Sequence, residues 1–351
     1  MEIAWPWSGH FDADPGYFGT ATCGLPPRIT SEAMTEVLRQ WQRGQVRAAE
    51  FDAVIADARA RFAALVGVDQ GAVAIGHQVS PLVGLVASAL PDGAQVLVAE
   101  GEFTSVSFPF AAQAHRGVDV HEVPLTELAE RVGPQTALVA VSAVQSADGS
   151  CADLAAIEAA AAEHGADVLV DLTQAAGWLP VDASRFAYTV CGTYKWLLSP
   201  RGTAFLTVRP DRLDTLTPAW AGWYAGESAW DSIYGLPLRL AQDARRFDVS
   251  PAWFCWVGTR TSLSFLGEIG VDSLHAHALQ VEAAFASHAG VEPVGRAIRS
   301  LEADAVVGDL MERAGAVASV RAGRLRLAFH VNNTVEEAAA LGSLLRGHVR
   351  D

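Results

Sequence analysis

A carboxylate, an amide and an amine lie close together in the middle of the chain, in the stretch VLVDLTQAAGWLPVDASRFAYTVCGTYKWLLSPRGTAFL. Asp171 comes near the carboxyl end of a short apolar run, and Gln174 follows three positions later. A second apolar run, at residues 188–191, leads directly towards Lys195. In open α/β sheets, ligands bind beyond the carboxyl ends of the strands, so these side chains are candidates for one site.

These groups suit the chemistry of pyridoxal 5′-phosphate (PLP). The amine of Lys195 can form an imine with the PLP aldehyde, leave it and then move protons at the α-carbon of a substrate. Asp171, facing the pyridine nitrogen, would keep that nitrogen protonated so that the ring accepts electrons. Gln174 would donate a hydrogen bond beside the phenolic oxygen, and the hydroxyls of Thr193 and Tyr194 would contact the phosphate. We therefore predict a PLP enzyme with its cofactor held as an internal aldimine on Lys195.

The elements that must position these groups are predicted to alternate between strands and helices. Apolar runs predict strands at residues 72–75, 95–99, 137–141, 168–172, 188–191 and 203–208. Helical spacing predicts helices at residues 51–66, 79–90 and 153–164, with Asp153 capping the last of these. This alternation is typical of a mainly parallel sheet covered by helices on both faces. After about residue 215 the pattern changes, and a helix at 257–266, a strand at 325–331 and a helix at 335–345 predict a smaller C-terminal α/β domain.

Composition limits the partners of the protein. The formal net charge of −15 argues against binding to nucleic acid or to an anionic membrane surface. The four cysteines form no CxxC pair and no zinc-like spacing with histidine, so we expect no metal and mostly buried, reduced thiols. No signal peptide is recognisable, and the longest apolar runs are too short to span a bilayer. We therefore expect a soluble, cytoplasmic protein.

The central stretch resembles the class V aminotransferases, a family of fold-type I PLP enzymes that includes cysteine desulfurases, kynureninase and isopenicillin-N-epimerase-like proteins. The matching motif is D-x-x-Q-x-x-G followed, about twenty residues later, by a hydroxyl residue, His or Tyr, and the lysine that binds PLP. Its positions are Asp171, Gln174, Gly177, Thr193, Tyr194 and Lys195. The resemblance implies a large PLP-binding domain with a mainly parallel, seven-stranded type of sheet between helices. That domain would span residues 31–240, between an N-terminal segment (1–30) that lines the active site and a small C-terminal α/β domain (241–351).

Further cofactor contacts follow from the resemblance. The loop that enters the helix predicted at 79–90 corresponds to the phosphate loop of the family, so Gln78 and Val79 would offer main-chain N–H groups. Phe103 stands where many relatives carry a histidine stacked on the cofactor; a phenyl ring can stack but cannot transfer protons. Ser146 stands where relatives often place an asparagine near the phenolic oxygen.

The resemblance also implies a shared active site. The segment Arg246-Phe247-Asp248-Val249-Ser250 is similar to one whose hydroxyl reaches the phosphate of the neighbouring subunit, so Ser250 implies a homodimer. The C-terminal RLRLAFHVNNT places Arg326 as the clamp for the substrate carboxylate, with Arg324 as the alternative. The aromatic residues Trp223 and Tyr224 are candidates for the wall of the substrate pocket.

Sequence favours transamination of an amino acid or amino-group-bearing metabolite over the other reactions of the family. A PLP-dependent lyase, cleaving a C–S bond by β-elimination or a C–C bond as in kynureninase, is the main alternative. The segment VRAGRLRLAFH has no cysteine where desulfurases carry their persulfide residue, and Phe103 removes one acid needed for epimerisation. A non-catalytic PLP-fold protein is disfavoured because Lys195 and Asp171 are both present, and no G-x-G-x-x-G motif supports a dinucleotide-binding protein.

Overall fold

A seven-stranded sheet forms the centre of the larger part of the structure, a computed structural model that describes residues 5–14 and 16–351. Its strands are β1 (Val73–Gly76), β2 (Gln95–Ala99), β3 (Asp119–Val123), β4 (Thr136–Ser142), β5 (Asp167–Asp171), β6 (Tyr188–Gly192) and β7 (Ala204–Val208). They are arranged in the order β1-β7-β6-β5-β4-β2-β3. Only β7 runs antiparallel to its neighbours, so the sheet is mainly parallel, as the sequence predicts.

Helices cover both faces of this sheet. Their bounds are α1 (Arg28–Gln42), α2 (Glu50–Val66), α3 (Val79–Ala89), α4 (Thr104–Ala111), α5 (Leu154–His164) and α6 (Trp253–Ile269). Alternate residues of a strand point to opposite faces; in β2, Leu97 packs in the core with α2, α5 and α6, and Val98 in the core with α3 and α4. Burial on both sides explains why these strands are continuous apolar runs rather than alternating ones.

The predicted end of α5 and its cap agree with the structure. The carboxylate of Asp153 accepts a hydrogen bond from the backbone N–H of Ala156, which satisfies one of the free donors of the first turn. The helix ends at Gly165, whose φ of 71° lies in the left-handed region that glycine adopts without strain. This helix leads directly into β5 and so fixes the position of the strand that ends at Asp171.

A four-stranded antiparallel sheet forms the second, smaller layer. Its elements are α7 (Val271–Ala289), β8 (Ile298–Ala303), α8 (Val307–Arg313), β9 (Ser319–Arg321), β10 (Arg324–Ala328), α9 (Val335–Leu345) and β11 (Val349–Arg350). The strand order is β11-β8-β10-β9, and α7 and α9 pack on the sheet around Phe285, Leu327 and Leu345. The helix α6 packs instead against α1 and α2 of the larger part.

The N-terminal segment connects the two parts. Phe18 belongs to the core of the small sheet and Ala21 to the core of the large one. The backbone N–H of Gly24 donates to the carbonyl of Tyr194, beside the predicted PLP lysine. Residues 1–4 and 15 of the predicted active-site segment lie outside the described residues.

Several elements were missed by the sequence analysis, namely α1, α4, α7, α8 and the strands β3, β8, β9 and β11. The strand β3 is largely exposed and reads DVHEV, without an apolar run to reveal it. The expectation of mostly buried cysteines is wrong, because only Cys191 is buried; all four are free thiols. None of the helices in the described part of the chain is long and apolar enough to cross a membrane.

Candidate active site

The carboxyl ends of the parallel strands surround one cavity. Asp171 is the last residue of β5, and Gly192, the last residue of β6, precedes the turn that carries Lys195. Residues predicted for the site that line the cavity are Gln78, Val79, Phe103, Ser146, Asp171, Gln174, Tyr194 and Lys195. The sequence therefore identified half of the residues that line the cavity, although the segments that supply them are far apart in the chain.

Lys195 is the only lysine of the chain. Its side chain is buried, and burial in first place, then the charges of Arg326 and Arg321, lower its pKa to about 8, against the attraction of Asp171. Its Nζ lies 5.3 Å from the ring centroid of Phe103 and makes no hydrogen bond within the described residues. About half of the amine is thus neutral at pH 8, and it is not hydrogen bonded to any other described group.

The backbone around Lys195 is held in a tight turn. Leu198, whose N–H donates to the Lys195 carbonyl at 3.1 Å, has a φ of 55°, an unfavourable conformation for a residue with a side chain. A Cβ on Gly24 would overlap the Lys195 carbonyl oxygen, so the N-terminal segment can pack here only through a glycine. The turn is therefore fixed from outside as well as by its own hydrogen bond.

Asp171 is a buried carboxylate without a bonded cation among the described residues. Burial raises its pKa to about 6, and the charge of Glu102 adds to the rise, while hydrogen bonds from Thr173 oppose it. Its Oδ1 accepts from the Thr173 backbone N–H at 2.8 Å. A buried carboxylate of this kind is suited to a cationic N–H group placed in the cavity.

Gln174 is held by three hydrogen bonds. Its Nε2 donates to the Ala21 carbonyl and to Ser146 Oγ, each at 3.0 Å, and its Oε1 accepts from Trp196 Nε1 at 2.8 Å. Both amide hydrogens are thereby used within the protein. Ser146 Oγ, which accepts from Gln174, keeps its own hydrogen free for a group in the cavity.

One end of the cavity is suited to a phosphate. Gln78 is the N-cap of α3 and Val79 its first residue, so the free N–H groups of this first turn would attract an anion placed there. Tyr194 lines the same cavity, and the guanidinium of Arg201 lies over its ring, 5.0 Å from the centroid. Arg201 was not identified from the sequence and adds a positive charge to this wall.

The hydroxyl of Thr193 does not line the cavity, contrary to the prediction. Thr193 is fully buried, and its Oγ1 is hydrogen bonded to the carbonyl and the hydroxyl of Thr203, the residue that precedes the antiparallel strand β7. The hydroxyl that reaches the cavity from this pair of residues is that of Thr203. The structure therefore does not support the phosphate contact predicted for Thr193. Its side chain instead links two backbone segments by hydrogen bonds.

The structure separates the two candidate arginines. Arg326 is 2% exposed, and its guanidinium donates to the carbonyl of Ser146, to Ser146 Oγ and to Thr22 Oγ1. The guanidinium of Arg324 does not contact Ser146; it donates to Ser300 Oγ and to the carboxylate of Glu302. Arg326 thus adjoins the cavity through Ser146, and the geometry favours it as the carboxylate clamp.

Three other predicted residues lie away from the cavity of their own chain. The hydroxyl of Tyr224 donates to Asp52, and Trp223 packs against Tyr224 and Trp230, so neither forms a wall of this pocket. The substrate-wall prediction for both is not supported. Ser250 is exposed and does not line the cavity.

Several cavity residues were missed by the sequence analysis: His77, Thr104, Ser105, Ser142, Thr173, Gly192, Arg201 and Thr203. Ser142 is the last residue of β4, and Thr104 and Ser105 come shortly after β2, so the strand-end rule applied to every strand would have found them. Glu102 is a buried carboxylate at the same edge. It accepts from the N–H of Phe103 at 2.7 Å and from Ser142 Oγ at 2.6 Å, and so holds the Phe103 loop to the end of β4.

These donors fit PLP. The cavity combines an unbonded buried amine on Lys195, a buried carboxylate on Asp171 and an aromatic ring on Phe103, with the free N–H groups of a helix start at one end. Lys195 would hold the aldehyde carbon, Asp171 the pyridine nitrogen and the start of α3 the phosphate. Among the described residues, the buried amine of Lys195 makes no hydrogen bond and the buried carboxylate of Asp171 has no cationic partner, which is costly unless a bound group compensates.

Comparison with known proteins agrees with this chemistry. The family described as "Aminotransferase class-V" matches residues 17–290. An uncharacterised aminotransferase of Bacillus subtilis is 31% identical over 302 residues, which cover 80% of this chain and 80% of the relative. Isopenicillin N epimerase of Streptomyces clavuligerus is 30% identical over 280 residues, which cover 72% of this chain and 66% of the epimerase.

Solved structures share the fold. A structure of the cystine C–S lyase C-DES with its reaction product cysteine persulfide has a TM-score of 0.85 at 23% identity, covering 96% of this chain and 98% of the lyase. Another structure of C-DES, with glycine covalently linked to the PLP cofactor, has a TM-score of 0.86 at 22% identity and covers 97% of this chain and 99% of the lyase.

Proposed function

The chain belongs to the class V aminotransferase family of PLP-dependent enzymes, and from that premise we propose that it transfers the amino group of an amino acid or amino-group-bearing metabolite. Lys195 would carry the cofactor and Arg326 would bind the substrate carboxylate. The observation that carries the proposal is the unbonded amine of Lys195, the only lysine, in the same cavity as Asp171. Bound PLP supplies an electron sink that weakens the bonds at the substrate α-carbon.

Lys195 would perform the proton transfers. With a pKa of about 8, about a tenth of the amine is neutral at pH 7. In this form Nζ can take a proton from the α-carbon of the substrate and then give it to a different atom. The ring of Phe103 cannot exchange protons. The amine of Lys195 would therefore perform both transfers, the removal of the proton and its return. A single base is sufficient for transamination and for β-elimination, whereas epimerisation needs a second one on the opposite face.

The remaining side chains would orient the reactants. The carboxylate of Asp171, fixed by Thr173, would keep a proton on the pyridine nitrogen. Ser146 would donate its free hydrogen to the phenolic oxygen, since Gln174 donates to Ser146 rather than to the cavity. Phe103 would stack on the ring, and Arg326 would hold the α-carboxylate by its charge and by the one N–H that its contacts with Ser146, Ser319 and Thr22 leave free.

Transamination and elimination are distinguished by the fate of the amino group. Purified holoenzyme is mixed with single amino acids in the absence of an acceptor, and keto acid and ammonia are both quantified. We expect at most one keto acid per active site and no ammonia, because the amino group stays on the enzyme. Continued release of ammonia and keto acid in equal amounts would overturn the aminotransferase proposal in favour of a lyase. Lys195→Ala is the control and should yield neither product.

We also propose a homodimer with shared active sites. Ser250 is exposed and lies outside the cavity of its own chain, which supports a role towards a second subunit. Tyr234 and Leu236 of the preceding segment are 87% and 89% exposed, as expected for a surface that a partner covers. We further propose a cytoplasmic enzyme whose partners are small molecules and its own second copy; the net charge of −15 supports the absence of nucleic acid and of an anionic membrane among them.

Mixing two inactive variants tests the shared site. Lys195→Ala and Ser250→Ala subunits, unfolded together and refolded, would give mixed dimers with one intact site, because the two changes then fall in the same second site. Tight PLP binding should return to about a quarter of all sites under random pairing, above the level of either variant alone. No gain over the unmixed variants, or a monomer in sedimentation that retains full activity, would contradict the shared site.

A further inference from the structure

The hairpin that carries Arg326 holds two further arginines on the same face. Residues paired across an antiparallel ladder point to the same side, and Arg326 is paired with Ser319 while Arg324 is paired with Arg321. Alternation along β9 and β10 therefore places the side chains of Arg321, Arg324 and Arg326 on one side of the hairpin. Of these three, Arg324 alone has an ion pair among the described residues, with Glu302.

Arg321 and Arg326 converge on one hydroxyl. Nη2 of Arg326 donates to Thr22 Oγ1 at 2.7 Å, and Nη2 of Arg321 lies 3.5 Å from the same oxygen. Neither guanidinium has an ion pair with a described carboxylate, in a chain whose 40 acidic residues outnumber its 25 lysines and arginines. Arg326 is 2% exposed, so one member of this pair is a buried cation without a counter-ion in the part of the chain that the structure describes.

The two cations are close to the reactive amine. The charges of Arg326 and Arg321 both contribute to the lowered pKa of Lys195, and the charge of Arg321 adds to the effect of burial in lowering the pKa of Arg326 to about 10. The positive charges of Arg321 and Arg326, which contact the same hydroxyl, repel one another, and an anion would stabilise each of them. Arg326 adjoins the cavity through Ser146, and Arg321 meets it at Thr22, so a substrate attached near Lys195 would have both guanidinium groups on the same side of the site.

We propose that Arg321 and Arg326 bind two anionic groups of one substrate, an amino acid whose side chain ends in a carboxylate. Arg326 takes the α-carboxylate, and this part rests on the proposed function. Arg321, at the exposed rim, takes the side-chain carboxylate. Both guanidinium groups can donate charge-assisted hydrogen bonds to a carboxylate. Thr22 separates the two arginines and sets the spacing between the anions that they bind.

Calorimetry with a cofactor-independent probe tests the anion pair. Glutarate carries two carboxylates and no amino group, and its monoamide replaces one carboxylate by a neutral group of the same shape. We expect the wild-type protein to bind glutarate about tenfold more tightly than the monoamide, as for a hydrogen bond to a charged group. Arg321→Gln should abolish this difference and leave monoamide binding unchanged, whereas Arg326→Gln should weaken both.

A matched control separates local charge from net charge. Arg313, at the end of α8, is exposed and is replaced by Gln with the same loss of one positive charge; we expect the preference for glutarate to be unchanged. Equal binding of the two probes by the wild-type protein, or equal weakening of both by Arg321→Gln, would overturn the proposal.

The holoenzyme extends the test to amino acids. The absorption change of bound PLP is titrated with glutamate against glutamine and with aspartate against asparagine, and half-saturation should favour the acids by about tenfold, again only while Arg321 is present. If PLP did not attach to Lys195, the proposed function would fail while the glutarate result still stood. If PLP attached and the amides bound as well as the acids, only the dicarboxylate proposal would fail.

Discussion

The lowered pKa of Lys195 determines how fast the protein captures its cofactor at different pH. Only the neutral amine attacks an aldehyde, so the rate constant for PLP capture follows the neutral fraction of Lys195. The pKa falls from the ordinary lysine value to about 8, mainly because the side chain is buried. Capture should therefore reach its plateau in an accessible range of pH.

The magnitude follows from the titration curve. With a pKa of about 8, about 1% of the amine is neutral at pH 6 and about half at pH 8, which gives an increase of about fiftyfold in rate. From pH 8 to pH 9 the increase is less than about twofold, because most of the amine is already neutral. An ordinary lysine, with a pKa near 10.4, would still gain about tenfold over that last unit.

Stopped-flow absorbance of the apoprotein mixed with PLP measures this rate. Because Lys195 is the only lysine, no other side-chain amine contributes to the signal. A small-molecule amine titrated with PLP in parallel corrects for the ionisation of PLP itself, so the ratio of the two profiles reports the protein. A corrected rate that still rises about tenfold from pH 8 to pH 9 would refute the argument that burial sets the reactivity of Lys195.

Three further results are expected. Asp248→Asn should lower the free energy of unfolding by about 3–5 kcal/mol, because it leaves the buried guanidinium of Arg59, 2.6 Å away, without its counter-ion; urea denaturation measures this, and Glu127→Gln in the exposed pair with Arg131 should leave the midpoint unchanged. Gly24→Ala should increase the dissociation constant of PLP, because its Cβ would displace the turn of Lys195; an unchanged constant by fluorescence titration would contradict this packing. Phe103→Ala should weaken PLP binding by about two- to tenfold through loss of ring stacking, and Phe103→Tyr, which keeps the ring, should not; equal losses in both variants would argue against stacking.

The sequence was sufficient for the parts of the site that are set by strand ends. Asp171 and Lys195 follow two buried apolar runs, and parallel strands bring their carboxyl ends to one edge of the sheet. Their roles in PLP chemistry depend on residue type alone. The same reasoning predicted the mainly parallel sheet and the cap at Asp153.

The direction of individual side chains could not be predicted in this way. Thr193 was expected to face the phosphate. Its buried hydroxyl is instead hydrogen bonded to the hydroxyl of Thr203, on the segment that leads into β7. Arg324 and Arg326 share a strand face, and only the position of Glu302 on β8 decides which one is neutralised. Trp223 and Tyr224 lie in a segment without regular periodicity, where no local pattern indicates which way a ring points.

Arg321 illustrates a further limit. It belongs to a three-residue strand with one half-buried and two exposed residues, so no hydrophobic pattern marks that strand. Its approach to Thr22, almost three hundred positions away in the chain, exists only because the N-terminal segment crosses between the two sheets. Contacts of this kind depend on the tertiary fold and not on local residue type.

Trapping PLP on the protein tests the role of Lys195 most directly. The holoenzyme is reduced with borohydride, digested and analysed by mass spectrometry, with Lys195→Ala treated in parallel. We expect one pyridoxyl group per chain, on the peptide that contains Lys195, and none in the variant. A pyridoxyl group found elsewhere, or a variant that keeps the visible absorption of bound PLP after dialysis, would contradict the assignment of Lys195 as the attachment residue.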